Sequence, residues 1–128
     1  MIVLDTHVLV WWLSEPKKLS KSAAHAIKSA KRVGIPAICV WEFSMLVARL
    51  RIRINRPALE WLEAALAEPR VELVPLTFAV AVQASRLGGF HGDPSDGLIV
   101  ATAQLEGVPL VTKDQRILDY EGVETIWD

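Results

Sequence analysis

Four carboxylates stand where the binding edge of a parallel sheet would fall. Asp5 ends the apolar run Ile2-Val3-Leu4, and Glu42 follows the segment Pro36–Val40. Asp96, with Asp93 just before it, opens the helical segment that leads to Pro109–Thr112. Asp114 closes Val111-Thr112-Lys113-Asp114. Ligands of open α/β sheets bind outside the carboxyl ends of the strands, so these acids are expected along one rim. Taken singly, Glu42, Asp96 and Asp114 also suit the first turn of a helix, where the dipole favours negative charge. Asp5 is harder to explain that way, because a carboxylate ending a buried strand is costly unless paired or metal-bound. Together the acids would repel one another, and Lys113 is the one candidate partner at those strand ends. A divalent cation removes the repulsion, and carboxylate oxygens are the ligands Mg²⁺ and Mn²⁺ prefer. Two such ions suit in-line phosphodiester cleavage, one activating water and the other stabilising the leaving oxygen. The carboxylates are expected to titrate as a coupled cluster.

The chain that must position them has 128 residues, enough for one domain spanning 1–128 and its own core. Hydrophobic residues make up 52% and charged residues 23%, a globular balance that excludes a disordered chain. The net charge is −1, so any nucleic acid must be met by a local patch. One cysteine, Cys39, excludes an internal disulfide framework and fits a reducing, cytoplasmic setting. The longest apolar run, Val8–Leu13, is far below the ~18 residues of a bilayer span. No basic segment followed by an apolar stretch and a cleavage site opens the chain, so no signal peptide is expected.

Short apolar runs alternate with helical stripes. Met1–Asp5, Pro36–Val40, Val71–Pro75, Pro109–Thr112 and Val123–Trp127 read as strands. Helices are expected from His7 to Leu13, from Ser20 with Gly34 as a C-cap, over Trp41–Leu50, and from Pro57 to Pro69. Others run from Thr77 through Leu87 and over Ser95–Glu106 closed by Gly107, with a last turn at Asp114–Leu118. The order β-α-α-β-α-α-β-α-α-β-α-β predicts an α/β fold with a parallel sheet and helices on both faces. Cys39 is expected buried within the second strand, and Trp41, Trp61 and Trp127 as core or interface residues. His7 reads as packing at a helix start, His91 as a solvated loop residue, and one of Trp11 and Trp12 as core. Arg49, Arg51, Arg53 and Arg56 alternate with Leu50, Ile52 and Ile54. They could contact phosphates or an acidic partner, or form a solvated basic face.

The quoted motifs, in order, resemble the PIN domain, and more closely the VapC-type ribonuclease toxins of toxin–antitoxin pairs. Those motifs are Ile2-Val3-Leu4-Asp5-Thr6-His7, Val40-Trp41-Glu42, Asp93-Pro94-Ser95-Asp96-Gly97 with Leu98 to Ala103, and Leu110 to Asp114. The resemblance covers essentially the whole chain. It implies a three-layer α/β/α fold with a central parallel five-stranded sheet, and a Mg²⁺- or Mn²⁺-dependent endoribonuclease that leaves 3′-hydroxyl and 5′-phosphate ends. It assigns Asp5, Glu42, Asp96 and Asp114 as catalytic metal ligands, direct or through water. Asp93 becomes an accessory acid, and Thr6 and Thr112 become hydroxyls that hold the acids. It further implies a small antitoxin partner and a homodimer. The chain departs from the family pattern at Ser95, where an aromatic is common, and at Gly97, where Arg is common. Two enzymatic rivals fail. A phosphorelay receiver needs an Asp after its middle strand, and there is none between Asp5 and Asp93. A haloacid-dehalogenase-type phosphatase needs Asp where His7 stands. A catalytically silent binding module remains the alternative.

Overall fold

A computed structural model describes residues 1–128. The strands are β1 (Ile2–Leu4), β2 (Val33–Pro36), β3 (Val71–Val74), β4 (Leu110–Val111) and β5 (Thr125–Ile126). The helices are α1 (Thr6–Ser14), α2 (Lys21–Ser29), α3 (Ala37–Ala48), α4 (Ala58–Leu66), α5 (Phe78–Ala84), α6 (Pro94–Glu106) and α7 (Gln115–Leu118). A single 3₁₀ turn, Pro16–Lys18, follows α1. All strand pairs are parallel, in the order β3-β2-β1-β4-β5, and the helices flank this sheet as the α/β/α reading expects. The chain winds outward from β1 through β2 to β3, then returns to the other side of β1 for β4 and β5. The point where the winding reverses lies between β1 and β4, and a crevice opens there by necessity. No helix is long and apolar enough to cross a membrane.

The central strand is apolar throughout because both its faces are covered: Ile2, Val3 and Leu4 are buried, as are Val33, Ile35, Leu110 and Val111 beside them. Val8 and Leu9 of α1, Phe43 of α3 and Ile99 and Val100 of α6 join them in one cluster of 22 buried residues. Phe43 stacks on Trp61 with ring centroids 4.5 Å apart. Arg70, at the entry to β3, donates from Nη1 to the carbonyls of Ile27 and Ala30 at 2.7 and 2.9 Å. It thereby satisfies orphan acceptors at the C-terminus of α2.

Several boundaries differ from the sequence expectation. The second strand lies over Val33–Pro36 rather than Pro36–Val40, and α3 begins at Ala37. A short continuous apolar run does not distinguish a buried strand from a buried helix, and Ala37 to Val40 is the first turn of the latter. Gly34 is therefore a strand residue opposite Val3, not a helix cap; a Cβ there would lie 3.0 Å from Val74 Cγ2. Cys39 is fully buried as expected, but on α3. The fifth helix ends at Ala84, short of Leu87. Trp61 is core, Trp127 is half-buried, and Trp41 is 57% exposed. By contrast, α6 closes on Gly107 at φ +66 as its sequence indicates.

Candidate active site

Asp5 leaves the end of β1 and caps α1. Its amide still pairs with Val111 O at 3.0 Å, so β1 and β4 are zipped up to the residue that carries the carboxylate. One carboxylate oxygen accepts from Thr6 N at 2.7 Å and the other from Thr112 Oγ1 at 2.6 Å. Thr112 Oγ1 also accepts from Asp114 N at 3.0 Å, so one buried hydroxyl links the acids that follow β1 and β4. Asp114 caps α7, its Oδ1 accepting from Arg116 N at 2.9 Å. Glu42 comes from the second turn of α3, not the first, so the dipole at a helix start does not account for it. Its carboxylate is held by Thr6 Oγ1 and by Ser95 Oγ, the latter at 3.2 Å. Asp96, in the first turn of α6, accepts from Asp93 N at 3.3 Å.

These side chains line one cavity of about 450 Å³ at the reversal point. Asp5, Glu42, Asp93, Asp96 and Asp114 face it, with His7, Trp11, Lys113 and Arg116 completing the wall. All five candidate acids thus share one cleft. Thr6 and Thr112 are fully buried beneath it. His7 does not pack inward: it is exposed, lines the cleft, and lies 5.8 Å from the Trp11 ring.

The five carboxylates face two permanent cations, and the imbalance is visible in their protonation. Burial pushes the Asp96 carboxyl up to about 7, reinforced by the charges of Asp5, Asp114 and Glu42. Asp5 is also raised, because burial outweighs its bonds to Thr112 and Thr6. The Cys39 thiol beneath is held well above its ordinary range, first by burial and then by the Asp5 charge. Its Sγ sits 3.7 Å from Leu4 O, and it is an inert core residue.

Two participants escape a reading of the sequence. Ser95 was conspicuous only as a departure from the family pattern, yet its hydroxyl holds Glu42 across 53 positions. Arg116 supplies the countercharge that Lys113 was expected to give. Its Nη2 lies 3.6, 3.5 and 3.5 Å from carboxylate oxygens of Asp93, Asp96 and Asp114. Lys113 instead extends over the Trp11 ring, 5.7 Å from its centroid. The spacing Asp114-x-Arg116 at the start of a short helix was the available clue.

The donor set suits a hard divalent cation, being all oxygen and carrying excess negative charge. As placed, no three of these side chains enclose a point closely enough to hold an ion by themselves.

The basic segment adjoins the cleft in part. Arg51 and Arg53 line a second cavity of about 470 Å³ that shares His7 and Trp11 with the first. Arg53 and Arg56 line the next one along, with Asn55 and Trp61. Arg49 lines none of these three. All four arginines are exposed, while Ile52 and Ile54 between them pack against the core.

Residues 2–123 match the PIN domain family. The chain is 41% identical over 129 residues to Ribonuclease VapC22 of Mycobacterium tuberculosis, covering 98% of each. Its fold is similar to a chain of the VapBC2 complex of Rickettsia felis bound to a promoter DNA fragment, with a TM-score of 0.75, 19% identity and full coverage of both chains. It is also similar to VapC20 of M. tuberculosis, a toxin that cleaves the sarcin–ricin loop: TM-score 0.64, 16% identity, 97% of this chain and 99% of that one.

Proposed function

The chain belongs to the PIN-domain family, and from that premise and the cleft we propose a metal-dependent endoribonuclease of the cytoplasm, the toxin of a toxin–antitoxin pair. One observation carries the reading: five carboxylates from four separate elements gather at the reversal point of the sheet, and burial, reinforced by mutual repulsion, raises Asp96 to about 7. So unfavourable a gathering marks a functional site more often than a structural one. The whole chain, 1–128, acts as one PIN domain.

Asp5, Glu42, Asp96 and Asp114 would hold Mg²⁺ or Mn²⁺, directly or through water, with Asp93 in support. When bound, the ion supplies water activation at neutral pH and stabilisation of the departing 3′-oxygen. The protein's own groups do the rest. Thr6 N and Thr112 Oγ1 fix both oxygens of Asp5, and Thr6 and Ser95 fix Glu42, so neither carboxylate rotates away as charge enters the cleft. Asp96, whose carboxyl is raised to about 7 first by burial, would have to be ionised to serve as a ligand. RNA lies across the cleft beside the partly buried Trp11, over whose ring Lys113 and Lys18 bring positive charge 5.7 and 6.0 Å from the centroid. Arg51 and Arg53 continue the path along the backbone phosphates, with Arg49 and Arg56 further out. The bond between phosphorus and the 3′-oxygen breaks in line with the attacking water, leaving a 3′-hydroxyl and a 5′-phosphate.

A small antitoxin is the expected protein partner, and a homodimer the expected assembly. Phe78, 87% exposed, and Val82 share a face of α5 beside exposed Leu76, which provides apolar area for a subunit contact.

Incubation of the purified chain with a panel of structured RNAs, including a sarcin–ricin loop hairpin, tests the proposal. Cleavage with Mg²⁺ or Mn²⁺ that stops with chelator and in Asp5→Asn is the expected result. Equal cleavage by Asp5→Asn would remove the chemistry from this cleft. Metal binding by calorimetry without cleavage of any RNA would favour the silent binding module.

A further inference from the structure

Arg116 is committed to its carboxylates differently from every other arginine in the molecule. Arg32 grips Glu72 with a two-pronged fork, Nε at 3.0 Å and Nη2 at 2.5 Å, on the exposed edge of the sheet. Arg116 makes no such fork. A single nitrogen, Nη2, is divided among one oxygen each of Asp93, Asp96 and Asp114 at 3.5–3.6 Å. Those are loose contacts, beyond the 2.7–2.9 Å of a strong charge-assisted bond. The oxygens concerned are the Oδ2 atoms, and Asp114 already commits Oδ1 to the amide of Arg116. At Asp114 the guanidinium therefore lies against the oxygen not used by the backbone, whereas at Asp96 it shares Oδ2 with the amide of Asp93, 3.3 Å away. Its side chain is 49% exposed, so it has solvent to retreat into.

We propose that Arg116 is the exchangeable counter-cation of the cleft, competing with the divalent ion for Asp93, Asp96 and Asp114 and leaving them when the ion binds. A single positive charge shared among three acids offsets part of their repulsion. A doubly charged ion with the same oxygens as ligands displaces it, and Arg116 sets how much metal that takes. The role is one of positioning and selection, and it rests on the metal-nuclease reading above.

The test is calorimetric titration of Mn²⁺, without RNA, into the full-length protein stripped of metal, beside Arg116→Gln and Arg116→Lys. Loss of the competing charge should tighten Mn²⁺ binding by about tenfold in Arg116→Gln. Arg116→Lys, which keeps the charge, should stay within about threefold of wild type. Unchanged or weaker binding in Arg116→Gln would overturn the exchange and make Arg116 a structural clamp. A second readout needs no variant. In ¹⁵N spectra of the wild-type arginine side chains, the Arg116 guanidinium signals should move with Mg²⁺ along the same saturation curve as the carboxylates. A guanidinium spectrum that ignores Mg²⁺ while the carboxylates respond would equally overturn it. Wild-type protein that binds no metal and cleaves RNA as well as Asp5→Asn would sink the nuclease reading itself. Wild-type binding and cleavage with no tightening in Arg116→Gln would sink only the exchange.

Discussion

The acid-lined cleft and the arginine-bearing segment 49–56 meet at His7 and Trp11, yet they hold their charges in opposite ways. In the cleft, Asp5 and Asp96 are buried, and the carboxylates are tied by bonds to neighbouring amides and hydroxyls. In the segment, all four arginines are exposed and none pairs with a carboxylate, while the isoleucines between them anchor the backbone. The first arrangement fixes charge to a fraction of an ångström at a cost in repulsion and desolvation. The second keeps charge solvated and movable at little cost. Groups that must meet one reacting phosphorus need the first, whereas groups that track a flexible backbone are served by the second.

Five measurements break or sharpen that contrast. The largest effect is expected from Asp5→Asn, which keeps an acceptor for Thr6 N but removes the charge. Cleavage should fall by roughly a thousandfold or more while the melting curve stays cooperative, since metal catalysis depends on the ionised ligand. Next comes pH. Asp5 and Asp96 are both raised in the folded protein, so it binds more protons than the unfolded chain between the ordinary carboxylate range and about 7. With chelator, stability should be greatest near the acid end of that window and fall as pH rises through it, by a few kcal/mol at most across about three units. Saturating Mg²⁺ should flatten the slope. Denaturant melts at pH 5, 6, 7 and 8 read this directly, and a slope that rises with pH would refute the picture of a strained cleft.

Thr112→Val comes third. It deletes the hydroxyl shared by Asp5 and Asp114, and should lower cleavage by about 10- to 100-fold with all five carboxylates intact. Fourth, Arg51→Gln with Arg53→Gln should raise KM several-fold with kcat unchanged. The salt dependence of RNA binding should become shallower by about one to two phosphate contacts. A fall in kcat instead would place these arginines among the fixed charges. The smallest effect is expected at Leu50, which takes φ +57 at the turn after α3 and is 80% exposed. Left-handed backbone costs a side-chain-bearing residue about 1–2 kcal/mol, and glycine returns part of that in chain entropy. Leu50→Gly should therefore stabilise by roughly 0.5–1 kcal/mol with RNA affinity unchanged.

Much of the cleft was legible because strand ends announce themselves. Asp5 and Asp114 each follow an apolar run, and a parallel sheet puts such residues on one rim. The helix Pro94–Glu106 carried both its stop signal at Gly107 and its acids at the start. Glu42 was found by type but placed on the wrong turn, because Ala37 to Val40 is apolar enough for either a strand or a buried helix. Lys113 is the one candidate countercharge in the sequence because it stands next to Asp114, and only the spacing Asp114-x-Arg116 draws attention to Arg116. The helical turn at Gln115 swings Arg116 back over the acids and leaves Lys113 against Trp11. Ser95 has no sequence neighbour that reveals its bond to Glu42, since that contact exists only after α3 and α6 pack together.

Two of the cleft's acids also begin helices: Asp5 holds the first amide of α1, and Asp114 holds Arg116 N at the start of α7. Asparagine caps a helix about as well as aspartate. One base change converts an Asp codon to Asn, so on the proposed reading each of these two carboxylates can be lost without losing the helix start it holds. Asn at 5 or 114 should therefore leave the melting curve cooperative while cleavage falls. Such chains would still fold and would still occupy the proposed partner, leaving less of it for a working copy.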